Sequence, residues 1–329
     1  MNEIEKFNTI LIAFKIKATC ISYEKIRNIS LYNLKLQAGT RIQTLQKFAE
    51  EIALALRANS KLIFKSIINA GIVRVEVINN GDNKISLLNE LKNKVIPKYK
   101  LPLLLGNSID GNDIWTDLSK NPHILIGGTT GSGKSVLLHT IITNLLLLSK
   151  SKIFVIDTKG LEFYPYTLKF TNISIFTAYS DACDIIQFLI DKMEYRYSAM
   201  RGVKYNSYVF TPYILIIDEF ADLIMHDKED ILYSLICRLI QKSRAANIYC
   251  VIATQRPSAD IIRGSIKANL PTRIAFKVNS KVSSRVILDQ NGAELLSGNG
   301  DAIISNYDNN FVRFQAAFTN PKELNGEVL

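Results

Sequence analysis

Cysteine, histidine and tryptophan are scarce: four, three and one among 329 residues. Cys20, Cys183, Cys237 and Cys250 form no CxxC pair and share no short spacing with His123, His139 or His226. The grouped ligands of a structural zinc site are therefore lacking. All four cysteines stand among apolar neighbours and read as small core residues of a reducing compartment. Long apolar runs are also missing. The best candidate, "LLHTIITNLLLLS", contains His139, Thr140, Thr143 and Asn144 and falls short of the roughly 18–20 residues that span a bilayer. The opening "MNEIEKFNTI" has none of the signal-peptide pattern, so the chain reads as cytoplasmic. Its 47% hydrophobic and 21% charged residues suit a soluble globular protein, and its length allows two domains with real cores. Internal repeats and low-complexity tracts are absent.

Acidic residues are scarce at one end only. Residues 1–100 hold 17 Lys and Arg against 8 Asp and Glu, a balance of +9, whereas the remaining 229 hold 23 against 22, a balance of +1. A basic segment beside a neutral one suggests a polyanion passing the first part. A solubility bias in a Lys-, Asn- and Ile-rich composition gives the same numbers.

The pattern changes along the chain. "TILIAFKIKA", "LYNLKLQA" and "GIVRVEVIN" read as strands, and "RIQTLQKFAEEIALALRA" places Ile42, Leu45, Phe48, Ala49, Ile52 and Leu56 on one helical face. Residues 1–100 are thus expected to form a small basic α+β domain. Pro97, Pro102, Pro122, Gly106 and Gly111 crowd the next stretch, and 101–122 reads as a linker. From 123 to 320 strands alternate with helices: strands at 123–127, 152–157, 173–176, 213–218, 248–254 and 273–278, and helices after Lys134, across 182–200 and across 229–245. That alternation predicts an α/β domain with a doubly wound, mainly parallel sheet. Residues 321–329 read as a tail.

"GTTGSGKS" is a full GxxxxGK[ST] phosphate loop. It comprises Gly128, Thr129, Thr130, Gly131, Ser132, Gly133, Lys134 and Ser135, between a predicted strand and a predicted helix. The glycines let backbone N–H groups curl around a β-phosphate, and the helix N-terminus adds its positive dipole end. Lys134 is expected to bridge the β- and γ-phosphates, and Ser135 to offer its hydroxyl to Mg²⁺. "YILIIDEF" ends a buried strand on two carboxylates. Asp218 is expected to hold the Mg²⁺ water shell and Glu219 to act as the general base on the attacking water. With the loop, this pair indicates nucleoside triphosphate hydrolysis.

In "NIYCVIATQRPS" an apolar run passes without a turn into Thr254, Gln255 and Arg256. Ligands of doubly wound sheets bind beyond the carboxyl ends of the strands. A strand adjacent to the one carrying Asp218 would point Gln255 at the γ-phosphate, as a sensor that both donates and accepts hydrogen bonds. The alternative is a glutamine that caps the turn after it. The helix before this strand ends in "LIQKSRAAN". Arg244 there is either a cation favoured by the helix dipole or a finger that reaches a neighbour's nucleotide. Sequence alone does not choose between Lys242 and Arg244, although the planar fork of arginine suits phosphate better.

The blocks "DLSKNPHILIGGTTGSGKSV", "LIIDEFADLI" and "LIQKSRAANIYCVIATQRPSADIIRGSIKANLPTRIAFKVNSKVSSRVILDQNGAELLSGNGDAI" resemble the FtsK/SpoIIIE family of DNA-pumping ATPases, and the basic N-terminal domain resembles the one preceding the motor there. The resemblance covers roughly residues 8–318. It implies a RecA-like P-loop NTPase assembled as a ring of six around double-stranded DNA. It further implies ATP at Gly128–Ser135, Mg²⁺ on Ser135 and Asp218, water activation by Glu219, γ-phosphate sensing by Gln255 and a finger acting in trans at Arg244. Arg256, Lys267, Lys281 and Arg285 fall in segments that form DNA-facing loops in the family. The sequence departs from the pattern in having Thr158 where the family often has proline, and in showing no membrane-spanning region and no C-terminal winged-helix module. These departures favour a stand-alone translocase. A coupling ATPase that hands DNA to a membrane pore is the nearest alternative, with a membrane or DNA-processing protein as partner. A protein-secretion ATPase fits less well, because those usually carry several motor domains in tandem.

Overall fold

The computed structural model describes residues 2–26, 29–58, 62–78, 84–201, 210–305, 310–321 and 324. They fall into two compact units, Met1–Lys84 with Ile109–Gly111, and Ile85–Ser108 with Asn112–Leu329.

The first unit opens with α1 (Glu3–Ala13), so the first half of "TILIAFKIKA", expected as a strand, is helical. Asn2 accepts the Glu5 N–H at 2.8 Å while the Glu5 carboxylate accepts the Asn2 N–H at 3.0 Å, a capping box that starts the helix upstream of the apolar run. Phe7, Ile10 and Leu11 then share a buried face, and this burial overrides the strand preference of the β-branched residues. Strands β1 (Ala18–Ile26) and β2 (Ile29–Leu36) follow, then α2 (Ile42–Lys47), α3 (Ala49–Leu56), β3 (Ile63–Ile67) and β4 (Ile72–Ile78). The single helix expected over 41–58 is interrupted at Phe48, yet Leu45, Ile52 and Leu56 are buried as its periodicity predicts. The sheet is antiparallel in the order β1-β2-β4-β3.

The second unit begins earlier than the prolines suggested. Strand β5 (Ile85–Ser86) pairs with the last strand of the large sheet, and α4 (Leu87–Asn93) places Leu87 and Leu91 in the large unit's core. The stretch expected as a linker at 101–122 forms β6 (Pro102–Ser108) and β7 (Asp113–Asp117), a hairpin of that same sheet. Gly106 explains the difference. A Cβ there would lie 2.0 Å from the carbonyl oxygen of Gln315, so the glycine marks a close approach of two backbones beside a bulge, not a flexible joint. Of the expected tail, only Pro321 and Leu324 are described, and Leu324 is buried in the core.

The remaining elements are β8 (Ile124–Gly127), α5 (Lys134–Leu148), β9 (Lys152–Ile156), α6 (Tyr164–Thr167), β10 (Ile173–Phe176), α7 (Tyr179–Met200), β11 (Tyr213–Ile217), α8 (Phe220–His226), α9 (Ile231–Lys242), β12 (Ile248–Thr254), α10 (Gly264–Lys267), β13 (Thr272–Phe276), α11 (Lys281–Leu288), β14 (Asp301–Ser305) and β15 (Phe311–Phe318). The large sheet runs β10-β9-β11-β12-β8-β13-β14-β15-β6-β7. The first six strands are parallel, and β14, β15, β6 and β7 continue antiparallel. Alternate residues of β12 bury on opposite faces: Tyr249, Val251 and Ala253 with α5, and Ile248, Cys250 and Ile252 with α7 and α9. A strand covered on both faces has no polar side to show, which is why the parallel strands read as continuous apolar runs. No helix among the described residues is long and apolar enough to cross a membrane.

Candidate active site

The functional side chains gather at the carboxyl edge of four adjacent parallel strands, β9, β11, β12 and β8. The phosphate loop leaves β8 and enters α5, and two glycines are shaped to it. Gly131 and Gly133 have φ of +75° and +117°, backbone that side chains rarely adopt. A Cβ on Gly133 would also meet Gly300 at 2.7 Å. The loop is braced from outside. Thr129 donates its N–H and its hydroxyl to the Lys277 carbonyl at 2.9 and 3.0 Å, and Gly300 donates its N–H to the Ser132 carbonyl at 2.9 Å. The Ser132 hydroxyl is buried and finds no hydrogen-bond partner among the described residues. An orphaned donor inside a cradle of backbone N–H groups fits an oxyanion that supplies the missing acceptor.

Lys134 is buried, and its Nζ donates to Oδ1 and to the main-chain oxygen of Asp218, both at 2.6 Å. A buried charge needs such a partner. A hydroxyl from Ser135 and a carboxylate from Asp218 form an oxygen donor set suited to a hard divalent cation that also keeps water and phosphate ligands.

Glu219 is 5% exposed and stands at the start of α8. It accepts the Thr254 hydroxyl at 2.6 Å, the Gln255 N–H at 2.8 Å and the Ala221 N–H at 3.3 Å. Burial pushes its carboxyl above the usual range, against these bonds and the charge of Lys134, which pull the other way. A buried carboxylate held by three donors is rigid, and its raised proton affinity suits a base. Gln255 follows β12, which pairs in parallel with β11 as the sequence reading required, and its Oε1 accepts the Thr130 hydroxyl at 2.6 Å. The end of β12 is therefore tied both to Glu219 and to the phosphate loop.

Arg244 is elsewhere. It lies just before β12 begins, at the amino edge of the sheet, where Nη2 donates to the Lys120 carbonyl at 3.4 Å. It is exposed and belongs to the opposite side of the sheet from its own phosphate loop.

The four basic residues expected to face DNA do not form one cluster. Lys267 donates to the Arg285 carbonyl at 2.9 Å and pairs with Asp289, which also holds Arg273. Arg285 donates to Asn291 at 2.9 Å. Arg256 reaches the Met225 sulfur on α8 at 3.2 Å, and Lys281 is exposed at the first turn of α11.

Glu162 joins the site without a sequence signal of its own. The carboxylate of Asp157, buried at the end of β9, accepts the N–H groups of Lys159 and Glu162 at 3.1 Å and of Phe163 at 3.4 Å. The loop folded around Asp157 carries the Glu162 carboxylate to 3.6 Å from His139 Nε2 on α5. A strand whose apolar run Ile153–Ile156 ends on aspartate was the one available hint.

A phosphate loop on β8, an Asp-Glu pair two strands away and a polar strand end between them define a P-loop NTPase with RecA-like strand order. The chain belongs to the FtsK/SpoIIIE family: the family pattern matches residues 87–211 and 206–259, and the FtsK alpha domain matches 1–79. It is 35% identical to a protein named DNA translocase FtsK from Clostridium acetobutylicum, over 98% of this chain and 45% of that one. Identity is 37% to the DNA translocase FtsK of Lactococcus lactis subsp. cremoris (92% and 43% covered) and 35% to the DNA translocase SftA of Bacillus subtilis (96% and 35%). The chain thus spans less than half the length of these relatives. Its fold matches that of the pCW3 conjugation coupling protein TcpA, solved as a monomer with ATPγS, with a TM-score of 0.69 at 22% identity over 97% of this chain and 96% of that one.

Proposed function

We propose that the chain is an ATP-driven translocase of double-stranded DNA that works in the cytoplasm as a ring of six copies, with Ile85 onward as its motor domain. The observation that carries this reading is the division of the site between two edges of one sheet. Lys134, Asp218, Glu219 and Gln255 converge on the phosphate loop, whereas Arg244 lies at the opposite edge, away from its own loop, and would serve a neighbour's nucleotide. Lys134 releases Asp218 to bridge the β- and γ-phosphates, and Glu219 takes the proton of the attacking water. Gln255 reports the γ-phosphate to the segment after β12, which carries Arg256 and leads to Lys267, Lys281 and Arg285. Ser135 and Asp218 would hold Mg²⁺, which would supply positive charge against that developing on the phosphates. The +9 balance of residues 1–100 supports a polyanionic substrate.

Steady-state ATP hydrolysis by purified protein, with and without linear duplex DNA over a salt titration, tests the reading. Stimulation by duplex that falls steeply with salt is expected, since each phosphate contact releases counterions. Hydrolysis indifferent to DNA at every salt concentration would overturn it.

A further inference from the structure

The phosphate loop is braced from the antiparallel half of the sheet by the turn Ser297–Asp301, which leads into β14. Three of its residues have positive φ: +88° at Gly298, +53° at Asn299 and +89° at Gly300. The Gln315 side chain donates to the Asn299 carbonyl at 2.8 Å, and a Cβ on Gly300 would lie 2.5 Å from that amide nitrogen. Gly300 donates its N–H to the Ser132 carbonyl at 2.9 Å, while its own carbonyl accepts the Ala316 N–H at 2.8 Å. The Ser132 carbonyl shares a planar trans peptide with the Gly133 N–H, and the two point in opposite directions. Fixing the carbonyl on Gly300 therefore aims the Gly133 N–H away from the turn, as one donor of the proposed phosphate cradle.

A buried ion pair holds the turn. Register sets Asp301 opposite Gln315 and Ile303 opposite Arg313, so Asp301 and Arg313 are diagonal neighbours on one face of β14 and β15. Arg313 donates Nε to Oδ1 and Nη2 to Oδ2 of Asp301, each at 2.7 Å, and both side chains are buried. Oδ2 also accepts the N–H and the hydroxyl of Ser297, both at 2.8 Å, which closes the turn onto its last residue. A buried pair of charges adds little stability over apolar residues of similar volume, so its worth here lies in the geometry it holds.

We propose that Asp301 is a positioning residue of the nucleotide site: paired with Arg313, it holds the Ser297–Asp301 turn so that Gly300 fixes the Ser132 carbonyl and, through it, the Gly133 N–H for a nucleotide phosphate. Asp301 acts on the loop only through Gly300.

The inference rests on the reading that Gly128–Ser135 holds the nucleotide, and the experiment separates the two. Affinity for a fluorescent ATPγS analogue, KM and kcat for ATP, and Tm are measured for wild type, Gly300→Ala, Asp301→Asn and the double variant Asp301→Leu with Arg313→Met. Asp227→Asn is the control, a buried carboxylate that accepts the Leu232 and Tyr233 N–H groups at 3.1 and 2.8 Å and so braces α9. In the three turn variants affinity should fall, and KM rise, about 10- to 100-fold, the worth of one hydrogen bond to a charged group. Their kcat should stay within about twofold of wild type, as when an interaction is lost equally from ground and transition states. The double variant should keep its Tm, because no buried charge is left unpaired. Asp227→Asn should lose Tm and keep its affinity. Wild-type affinity in Gly300→Ala or in the double variant would overturn the role of Asp301, and so would an equal loss of affinity in Asp227→Asn. Lys134→Ala separates the two readings: nucleotide bound there as in wild type would overturn the site reading and this inference together.

Discussion

The two edges of the parallel sheet treat charge in opposite ways. At the carboxyl edge Lys134, Asp218 and Glu219 are all at most 5% exposed, and each is held by bonds between 2.6 and 3.3 Å. At the amino edge Arg244 is exposed on a 3.4 Å bond to a main-chain carbonyl. Beside it His123 is buried and kept neutral: its Nδ1 accepts the Cys250 N–H at 2.8 Å, and burial, helped by the charge of Arg244, pushes its pKa down to about 4. Groups that act on their own subunit's nucleotide are fixed in advance, because charges preorganised in a dry site cost no reorganisation when the reaction needs them. On the proposed reading, Arg244 serves another copy, and a loosely held side chain is one that can leave its own subunit.

The sharpest way to break this comparison is Arg244→Ala. Hydrolysis should fall about 10³- to 10⁵-fold, while thermal stability, read by calorimetry, hardly moves. Mixing this variant with Lys134→Ala should restore part of the activity, because a mixed ring contains intact loops facing intact fingers. Full activity in Arg244→Ala alone would remove the division of labour between the edges. Glu219→Gln should lower hydrolysis about 10²- to 10⁴-fold with nucleotide affinity kept, the loss expected of a missing general base; retained turnover would leave the carboxyl edge without its base.

The amino edge makes its own prediction. Below its ordinary pKa of 6.5, His123 gains a proton in the unfolded chain that the folded chain refuses until about 4. Folding stability is therefore lost as pH falls through that window, by about 3 kcal/mol in all. His123→Asn, which keeps an acceptor for Cys250, should flatten the fall in Tm between pH 7 and pH 4.5. Identical slopes in both proteins would count against a buried neutral imidazole. The smallest effect belongs to Thr254→Val, which preserves shape but removes a donor from Glu219. It should cost about 1–3 kcal/mol of stability, measured by denaturant unfolding. No cost would mean that Glu219 does not depend on Thr254.

Much of the larger unit was legible in advance because its signals are local. A phosphate loop needs contiguous glycines, lysine and serine, and a twice-covered strand needs a continuous apolar run, so β8, β11 and β12 lie within a residue of their expected bounds. The errors arose where a residue's meaning depends on something distant. Gly106 looks like a hinge until the β15 backbone is placed against it. "TILIAFKIKA" looks like a strand until Asn2 and Glu5 cap a helix in front of it.

The sequence by itself determined the chemistry available: which residues could hold phosphate, cation and water, and that successive strands would run parallel with these groups at their ends. Only the tertiary structure decided which groups share a place. Glu162 meets His139 because the 157–163 loop wraps around a buried aspartate, and Arg244 is parted from its own phosphate loop because it enters at the far end of the strand that Gln255 leaves. Contacts of this kind close over 23 residues in one case and separate groups 11 residues apart in the other. Spacing along the chain carries no information about either, since packing of the sheet sets both distances.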